Sequence, residues 1–139
     1  MTKILIAIDG SKSSIKAIEY VVKRKRRGER IESYLLNVQP AISPKAGLIT
    51  RGMIRDYQTL ESQKALGKPE VEAMKRYLKA DTYLEVGDPA SCIIDFATKT
   101  KCDEIVIGSR GLGGIKGVFL GSVANKVVQM CSVPVVVVK

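Results

Sequence analysis

One segment of the sequence concentrates backbone groups that are suited to binding an anion. Six of the 12 glycines lie between Gly108 and Gly121. The segment follows an apolar run at residues 103–107, which predicts a buried strand, and it precedes a predicted helix from Ser122 to about Cys131. A glycine-rich turn between a strand and a helix start gathers unpaired N–H groups and the positive end of a helix dipole, which together suit phosphate oxygens. Nucleotide binding is therefore the first hypothesis.

The charge of this segment agrees with that hypothesis, although its pattern matches neither common phosphate-binding motif. Arg110 and Lys116 lie within it, and no Asp or Glu occurs from Ile105 to the end of the chain. No Gly-Lys-Ser or Gly-Lys-Thr ends the segment, as a Walker loop requires, and Lys116 stands where the dinucleotide fingerprint needs its third glycine. The connection is also longer than the roughly two to six residues usual between a strand and a helix. We expect a long ordered loop with a binding role.

The composition limits the chemistry that the chain can perform. There is no histidine, so the usual general base near neutral pH and the commonest transition-metal ligand are missing. The three cysteines, Cys92, Cys102 and Cys131, form no Cys-x-x-Cys pair, and we expect free thiols rather than a disulfide or a zinc site. The 139 residues fit one domain, with no apolar run near the ~18 residues of a membrane span and no signal peptide. We expect a soluble, cytoplasmic protein.

The net charge of +9 comes largely from a basic cluster at residues 23–27 together with Arg30. Such a cluster could attract nucleic acid or an acidic partner. It is more typical of the last turn of a helix, where cations favour the helix dipole. Because no aromatic residue is interleaved with the basic ones, a stacking surface for single strands is not indicated, and we do not expect nucleic acid as a partner.

Apolar runs and helix signals alternate along the chain and predict an α/β fold. Strands are predicted at residues 3–8, 31–38, 82–86, 103–108 and 134–138. Helices are predicted to begin at Ser11 or Ser13, near Met53, at Asp88-Pro89 and at Ser122, and the second is expected to reach Leu78 with a loosening near Gly67. Apolar strands separated by helices indicate a parallel sheet that is covered on both faces. We therefore expect residues 1–139 to form a single domain with an open five-stranded sheet.

Ligands of such sheets bind beyond the carboxyl ends of the strands. Asp9 and Gly10 follow the first strand, and if the first and fourth strands are neighbours, Asp9 faces the glycine segment. A carboxylate there suits a ribose hydroxyl or an adenine amine, but it could equally cap the first helix. Asp9 and Asp88 are the well-placed candidates for contact with Mg²⁺ or a positioned water.

The glycine spacing resembles that of the universal stress protein family. Its nucleotide-binding members carry Gly, two residues, Gly, nine residues, Gly, then Ser or Thr, and Gly108, Gly111, Gly121 and Ser122 have this spacing. The likeness covers the whole chain, with Ile-Leu-Ile-Ala-Ile-Asp-Gly-Ser near the start, Gly87-Asp-Pro-Ala in the middle and Ser-Val-Pro-Val-Val-Val-Val at the end.

The resemblance implies a five-stranded parallel sheet of order 3-2-1-4-5, like that of the adenine nucleotide alpha-hydrolases, and a dimeric, ATP-binding regulatory protein of stress adaptation. It implies ATP, with or without Mg²⁺, held at Asp9, Gly10, Val38, Gly108, Ser109, Arg110, Gly111, Gly121, Ser122 and Val123. Similar members often have histidine where this chain has Arg110. Slow ATP hydrolysis, or binding of a partner or nucleic acid at the basic surface, are the alternatives.

The last predicted strand favours a homodimer. It begins at Pro134 and ends at Val138, and in the implied order it lies at the edge of the sheet. An apolar edge with only Lys139 to discourage pairing invites a second chain.

Overall fold

The computed structural model describes residues 1–111 and 120–139, so Lys116 lies outside the described residues. The described parts form one parallel sheet of order β3-β2-β1-β4-β5, as predicted. The elements in chain order are β1 (Thr2–Ala7), α1 (Lys12–Arg26), β2 (Ile31–Gln39), α2 (Arg51–Leu66), α3 (Pro69–Leu78), β3 (Asp81–Val86), α4 (Pro89–Lys99), β4 (Glu104–Gly108), α5 (Ser122–Met130) and β5 (Val135–Val138).

The core lies on both faces of the central strands. Ile4 and Ile6 of β1 pack on one face with α1 and α3, whereas Leu5 packs on the other face with α4 and α5. Strand β1 pairs with β2 on one side and with β4 on the other. The apolar runs of β1 and β4 follow from burial on both faces, which allows no alternation with polar residues.

Three local predictions need correction. The stretch predicted to run from residue 53 to residue 78 is two helices, because Pro69 lacks an N–H and begins a new helix at its first position. Strand β3 was expected to be apolar and covered on both faces, but most of its residues are exposed at the edge position that the implied order gives it. Ser122 was expected to cap α5, but the N-cap is Gly121 and Ser122 is the first helical residue.

Other local predictions are confirmed. Ser11 caps α1 and accepts a hydrogen bond from the Ser14 N–H at 3.1 Å, and Asp88 caps α4 with Pro89 at the first helical position. Cys92, Cys102 and Cys131 are free thiols, as predicted. Desolvation raises the pKa of the Cys92 and Cys102 thiols, which keeps them protonated and unreactive near neutral pH.

None of the helices in the described parts of the chain has the length and apolar character needed to cross a membrane.

Much of the basic cluster at residues 23–27 is used within the fold. Arg24 bonds Glu29, with its Nε 2.7 Å from Oε2, and also bonds Glu104 at the start of β4. Lys25 donates to the carbonyl oxygens of Tyr77 and Leu78, both at 3.2 Å, at the end of α3. These contacts tie α1 to α3 and β4, so a structural role accounts for part of the positive charge.

We predict that Arg24→Met destabilises the domain by about 2 kcal/mol at neutral pH. The substitution keeps the apolar stem but leaves the Glu104 side chain, 17% exposed, without its partner. The free energy of unfolding, measured in urea, tests this. Lys23→Met is the matched control, because it removes an equal charge from an exposed neighbour and should change stability by less than ~0.5 kcal/mol.

The same variant should weaken the pH dependence of stability. Hydrogen bonding to Arg24 lowers the pKa of Glu29 from its ordinary value of 4.5. A carboxyl group with a lowered folded-state pKa stabilises the fold above its unfolded pKa and loses that contribution as the pH falls. The difference between the native chain and Arg24→Met should therefore shrink below about pH 4.5. A difference that stays constant from pH 7 to pH 3 would contradict this role for the ion pair.

Candidate functional site

A cavity of about 540 Å³ opens at the carboxyl ends of the central strands, between the starts of α4 and α5. Its size is that of a site for a small organic ligand. The described residues of its wall come from β1, β2, β4, α1, α4, α5 and their connections. They are Ala7, Ile8, Asp9, Ser14, Leu36, Val38, Pro89, Ile93, Ile107, Gly108, Arg110, Gly111, Leu120, Gly121, Ser122, Val123 and Ala124.

One part of the cavity is apolar. Leu36 and Val38 of β2 line it, and Pro89 and Ile93 of α4 lie on the same wall. Leu36 and Ile93 also belong to the core cluster on this face of the sheet, so their positions are fixed by packing. A wall of aliphatic side chains held by the core suits the face of a flat, weakly polar ring.

The other part of the cavity can accept an anion. The N-cap of helix α5 lies here, and it is Gly121, which has no side chain to cap the first turn. The N–H of Gly121 donates to the Ser109 carbonyl at 2.5 Å, and the first helical N–H bond runs from Asn125 to the Gly121 carbonyl. The N–H groups of the intervening residues, 122–124, lie at the positive end of the helix, and all three residues are on the cavity wall. Arg110 adds a fixed positive charge to this wall.

At two glycines on the cavity wall, a β-carbon would come close to other atoms of the site. A β-carbon on Gly111 would lie 2.8 Å from Oδ2 of Asp9, so the Asp9 carboxylate reaches the backbone of the glycine segment. A β-carbon on Gly121 would lie 3.3 Å from the Arg110 α-carbon and from the Ser109 carbonyl oxygen. Gly121 therefore lies where the two ends of this segment approach each other closely, whereas Gly111 lies against the Asp9 carboxylate.

Gly108 has a different reason for being glycine. A β-carbon at this position would lie 2.5 Å from the carbonyl carbon of Ser13, in the backbone of α1. The residue lets the end of β4 pack directly against the first turn of α1. This packing brings the cavity wall at Gly108 close to the turn that carries Asp9.

The turn after β1 is ordered by hydrogen bonds. Oδ1 of Asp9 accepts from the Ser11 N–H at 2.8 Å. The carbonyl oxygens on either side of Asp9 accept from side chains elsewhere in the chain: Ile8 from Nδ2 of Asn37 at 2.7 Å, and Gly10 from Nζ of Lys68 at 2.6 Å. The Asp9 carboxylate thus stands on a turn that is fixed from three directions.

The structure brings together most of the predicted site residues. Eight of the ten lie on the cavity wall, namely Asp9, Val38, Gly108, Arg110, Gly111, Gly121, Ser122 and Val123. Gly10 and Ser109 are adjacent to the wall but not on it, and Ser109 is buried. The sequence reasoning missed Ser14, the aliphatic wall from β2 and α4, and the two residues that hold the Asp9 turn. Asn37 was detectable as an amide among the apolar residues 35–38, whereas nothing in the sequence marked Lys68.

Asp88 does not share the surroundings of Asp9. It is not on the cavity wall, and its Oδ2 accepts from Oγ of Ser91 at 2.7 Å and from Nζ of Lys126 at 3.0 Å. These bonds, with that from the Ser91 N–H, lower the pKa of Asp88 to about 2. Within residues 1–111 and 120–139 there is no cluster of three His, Cys, Asp or Glu that could hold a metal ion.

Comparison with known sequences identifies the family. Residues 1–139 match the Universal stress protein family. A universal stress protein of Methanocaldococcus jannaschii is 36% identical over 140 residues, covering 99% of this chain and 81% of the relative. The universal stress protein YxiE of Bacillus subtilis is 32% identical over 145 residues, covering 99% of this chain and 98% of the relative.

Solved structures of this family share the fold. The universal stress protein UspA from Lactobacillus plantarum superposes with a TM-score of 0.76 at 22% identity, covering 99% of this chain and 97% of that one. A family protein from Arabidopsis thaliana with AMP bound has a TM-score of 0.69 at 22% identity, covering 100% and 92%. The Archaeoglobus fulgidus protein in complex with dAMP has a TM-score of 0.61 at 22% identity, covering 100% and 98%. By the match along its whole length and by these relatives, the chain belongs to the universal stress protein family.

Proposed function

We propose that this chain binds an adenine nucleotide, ATP in particular, in the cavity between α4 and α5, and that it acts as a regulatory binding protein. The observation that carries the proposal is the start of α5. Its first turn, at residues 122–124, lines the cavity behind Gly121 together with Arg110, and the sequence has no Asp or Glu after Glu104. Amides at a helix start and a nearby guanidinium form a binding site for phosphate.

The rest of the cavity suits adenosine. The adenine ring would lie against Leu36, Val38 and Ile93, with the Val38 main chain next to its edge. The ribose would lie between Asp9 and the backbone of Gly111, where a carboxylate can accept a hydrogen bond from a hydroxyl group. In this arrangement the apolar, acidic and cationic parts of the wall each meet the matching part of one nucleotide.

The bound nucleotides of related structures support adenine as the base. The Arabidopsis protein holds AMP and the Archaeoglobus protein holds dAMP, and this chain has the same fold. The choice of ATP rests on Arg110 and the α5 amides, which offer a positive charge and several N–H donors to more than one phosphate group. If Mg²⁺ accompanies ATP, Asp9 is the carboxylate on the described wall that can hold it, together with the phosphates and water.

The residues present are better suited to binding ATP than to hydrolysing it. The chain contains no histidine, and Asp9 is the one acidic side chain on the described part of the wall. Asp9 has its Oδ1 bonded to the Ser11 N–H, so it is better suited to holding a hydroxyl group than to activating water. We therefore propose signalling by occupancy, with hydrolysis of ATP at most slow.

We predict that the protein binds ATP about tenfold or more tightly than GTP. Guanine has a carbonyl group where adenine has an amine, so a site that pairs with the adenine edge leaves buried polar groups unpaired when guanine enters. Isothermal titration calorimetry with the two nucleotides at equal Mg²⁺ concentration measures the ratio. Equal affinities for ATP and GTP would show that the cavity does not recognise the adenine base.

Gly121→Val should reduce affinity for ATP by at least ~100-fold. The added side chain would meet the backbone of Ser109 and Arg110 at 3.3 Å and would push the phosphate wall out of place. Gly52→Val is the control, because it adds the same group at an exposed position where the nearest heavy atom lies 3.8 Å from the β-carbon. Circular dichroism confirms folding, and titration of a folded Gly121→Val variant that binds as well as the native chain would show that the phosphate site is elsewhere.

We further propose that the protein is a homodimer joined at β5. Strand β5 lies at the edge of the sheet and its four valines are half-buried. The carbonyl oxygens of Pro134 and Val138 accept bonds from β4, so the alternation of a parallel pair turns the N–H groups of Val135 and Val137 outward. These groups can pair with the same strand of a second chain.

Val137→Pro should convert the dimer to a monomer. Proline removes an outward N–H and leaves the bonds to β4 in place, and edge strands tolerate it. Leu84→Pro in β3, the strand at the opposite edge of the sheet, is the matched control. The Gly87 N–H donates inward to the Gln39 carbonyl, so by the same alternation the Leu84 N–H points outward. Light scattering measures the mass. A Val137→Pro protein that remains dimeric, or a Leu84→Pro protein that becomes monomeric, would contradict pairing through β5.

A further inference from the structure

The turn that carries Asp9 is held by side chains that do not touch the cavity. Asn37 in β2 donates to the Ile8 carbonyl at 2.7 Å, and Lys68, between α2 and α3, donates to the Gly10 carbonyl at 2.6 Å. Neither residue is on the described cavity wall. The first bond holds the peptide group that joins Ile8 to Asp9, and the second holds the peptide group that joins Gly10 to Ser11. Together they restrain the backbone before and after Asp9, and with it the direction in which the Asp9 carboxylate leaves the backbone.

Asn37 occupies a position where an apolar residue would be expected. It is 1% exposed in a strand that is paired on both sides, and burying an amide is costly unless its groups are paired. Its Nδ2 bonds the Ile8 carbonyl, and its Oδ1 accepts from Nε2 of Gln39 at 2.8 Å. The second bond sets which way the amide faces, and this presents a donor to the Asp9 turn.

Lys68 reaches the same turn from the opposite side. It is the N-cap residue of α3, directly after α2, and it is half-buried. The turn approaches this junction closely: Gly10 has a φ of +84°, and a β-carbon on it would lie 3.2 Å from the α-carbon of Ala65 in α2. A shift of the α2–α3 junction would therefore move the Gly10 carbonyl, and with it the backbone of Asp9.

We propose that Asn37 and Lys68 are positioning residues, which hold the Asp9 turn in the geometry that binds the adenosine part of the nucleotide. The proposal rests on the proposed function, because it assigns these residues to the same ligand. It makes the α2–α3 junction part of the ligand-binding apparatus, although the junction lies outside the cavity.

Lys68 could affect nucleotide binding in two ways, and a comparison of uncharged adenosine with charged AMP distinguishes them. A positive charge near the site would strengthen binding of the phosphates and leave uncharged adenosine unaffected. Positioning of Asp9 acts on the ribose or base, so its loss would weaken adenosine and AMP by the same factor.

The test measures affinities for adenosine and AMP by titration calorimetry with three variants. Lys68→Met keeps the aliphatic stem but removes the donor, and we expect about tenfold weaker binding of both ligands. Lys68→Arg keeps a cationic donor and should recover most of the lost affinity. Lys64→Met is the matched control: it removes an equal charge from α2, where the ammonium group bonds Glu61 at 2.9 Å and does not touch the turn, so both affinities should stay within twofold.

Asn37→Leu extends the test to the buried amide, with Ser33→Ala as its control on the same face of β2. Ser33 is buried and its Oγ has no partner among the described residues, so its removal should affect neither folding nor binding. Asn37→Leu should weaken adenosine and AMP about tenfold and equally. Affinities are measured well below the melting temperature of each variant, so that a loss of stability alone does not lower them.

Each other outcome overturns the proposal. Loss of AMP binding without loss of adenosine binding by Lys68→Met would assign Lys68 to phosphate attraction. Unchanged affinities in Lys68→Met, or an equal loss in Lys64→Met, would show that the junction does not position the turn. Failure of the unaltered chain to bind either ligand would instead refute the proposed function, and the positioning roles with it.

Discussion

A helix leaves its first N–H groups without backbone acceptors, and these groups need a cap, water or a ligand. Ser11 and Asp88 supply side-chain caps for α1 and α4. The N-cap of α5 is instead Gly121, which offers no capping side chain, and the residues of the first turn line a cavity. The absence of Asp and Glu from the last 35 residues of the sequence leaves that positive end uncompensated by any carboxylate of its own segment. The glycines, the cavity and the ligand that we propose all depend on this helix start.

The sheet determines what faces this helix start. In the order β3-β2-β1-β4-β5 the direction of winding reverses between β1 and β4, and a crevice forms beyond their carboxyl ends. Asp9 follows β1 and Gly108 ends β4, so the topology alone places them on opposite sides of that crevice. Close packing then completes the wall, since Gly108 lies against the backbone of Ser13 and Gly111 against the Asp9 carboxylate. Residues a hundred positions apart in the chain come to share one small site.

The sequence contained enough to predict a parallel sheet and the helix caps at Ser11 and Asp88, because these features depend on local signals such as apolar runs and capping residues. The strand order and eight of the 17 residues on the described cavity wall came from the family resemblance, which the glycine spacing carried. Helix α2 was harder to predict because polar residues lie on its buried face and large apolar residues lie on its exposed face. Gln58 and Ser62 are buried, whereas Met53, Tyr57 and Leu60 are more than half exposed. Hydrophobic periodicity cannot orient such a helix.

The contacts around Asp9 could also not be predicted from the sequence. Lys68 and Gly10 are 58 residues apart, and their bond depends on where the break between α2 and α3 lies in space. A lysine before a proline has many possible roles, and only the packing of Ala65 against Gly10 gives it this one. Positioning residues of this kind have no motif, because their effect passes through the backbone of another residue.

A crystal structure of the chain with Mg²⁺ and ATP tests the central claim most directly. The account predicts adenine between β2 and α4, the ribose beside Asp9, and phosphate oxygens within hydrogen-bonding distance of the N–H groups of residues 122–124. Nucleotide bound at another surface, or a cavity filled by the protein's own side chains at saturating ATP, would contradict it.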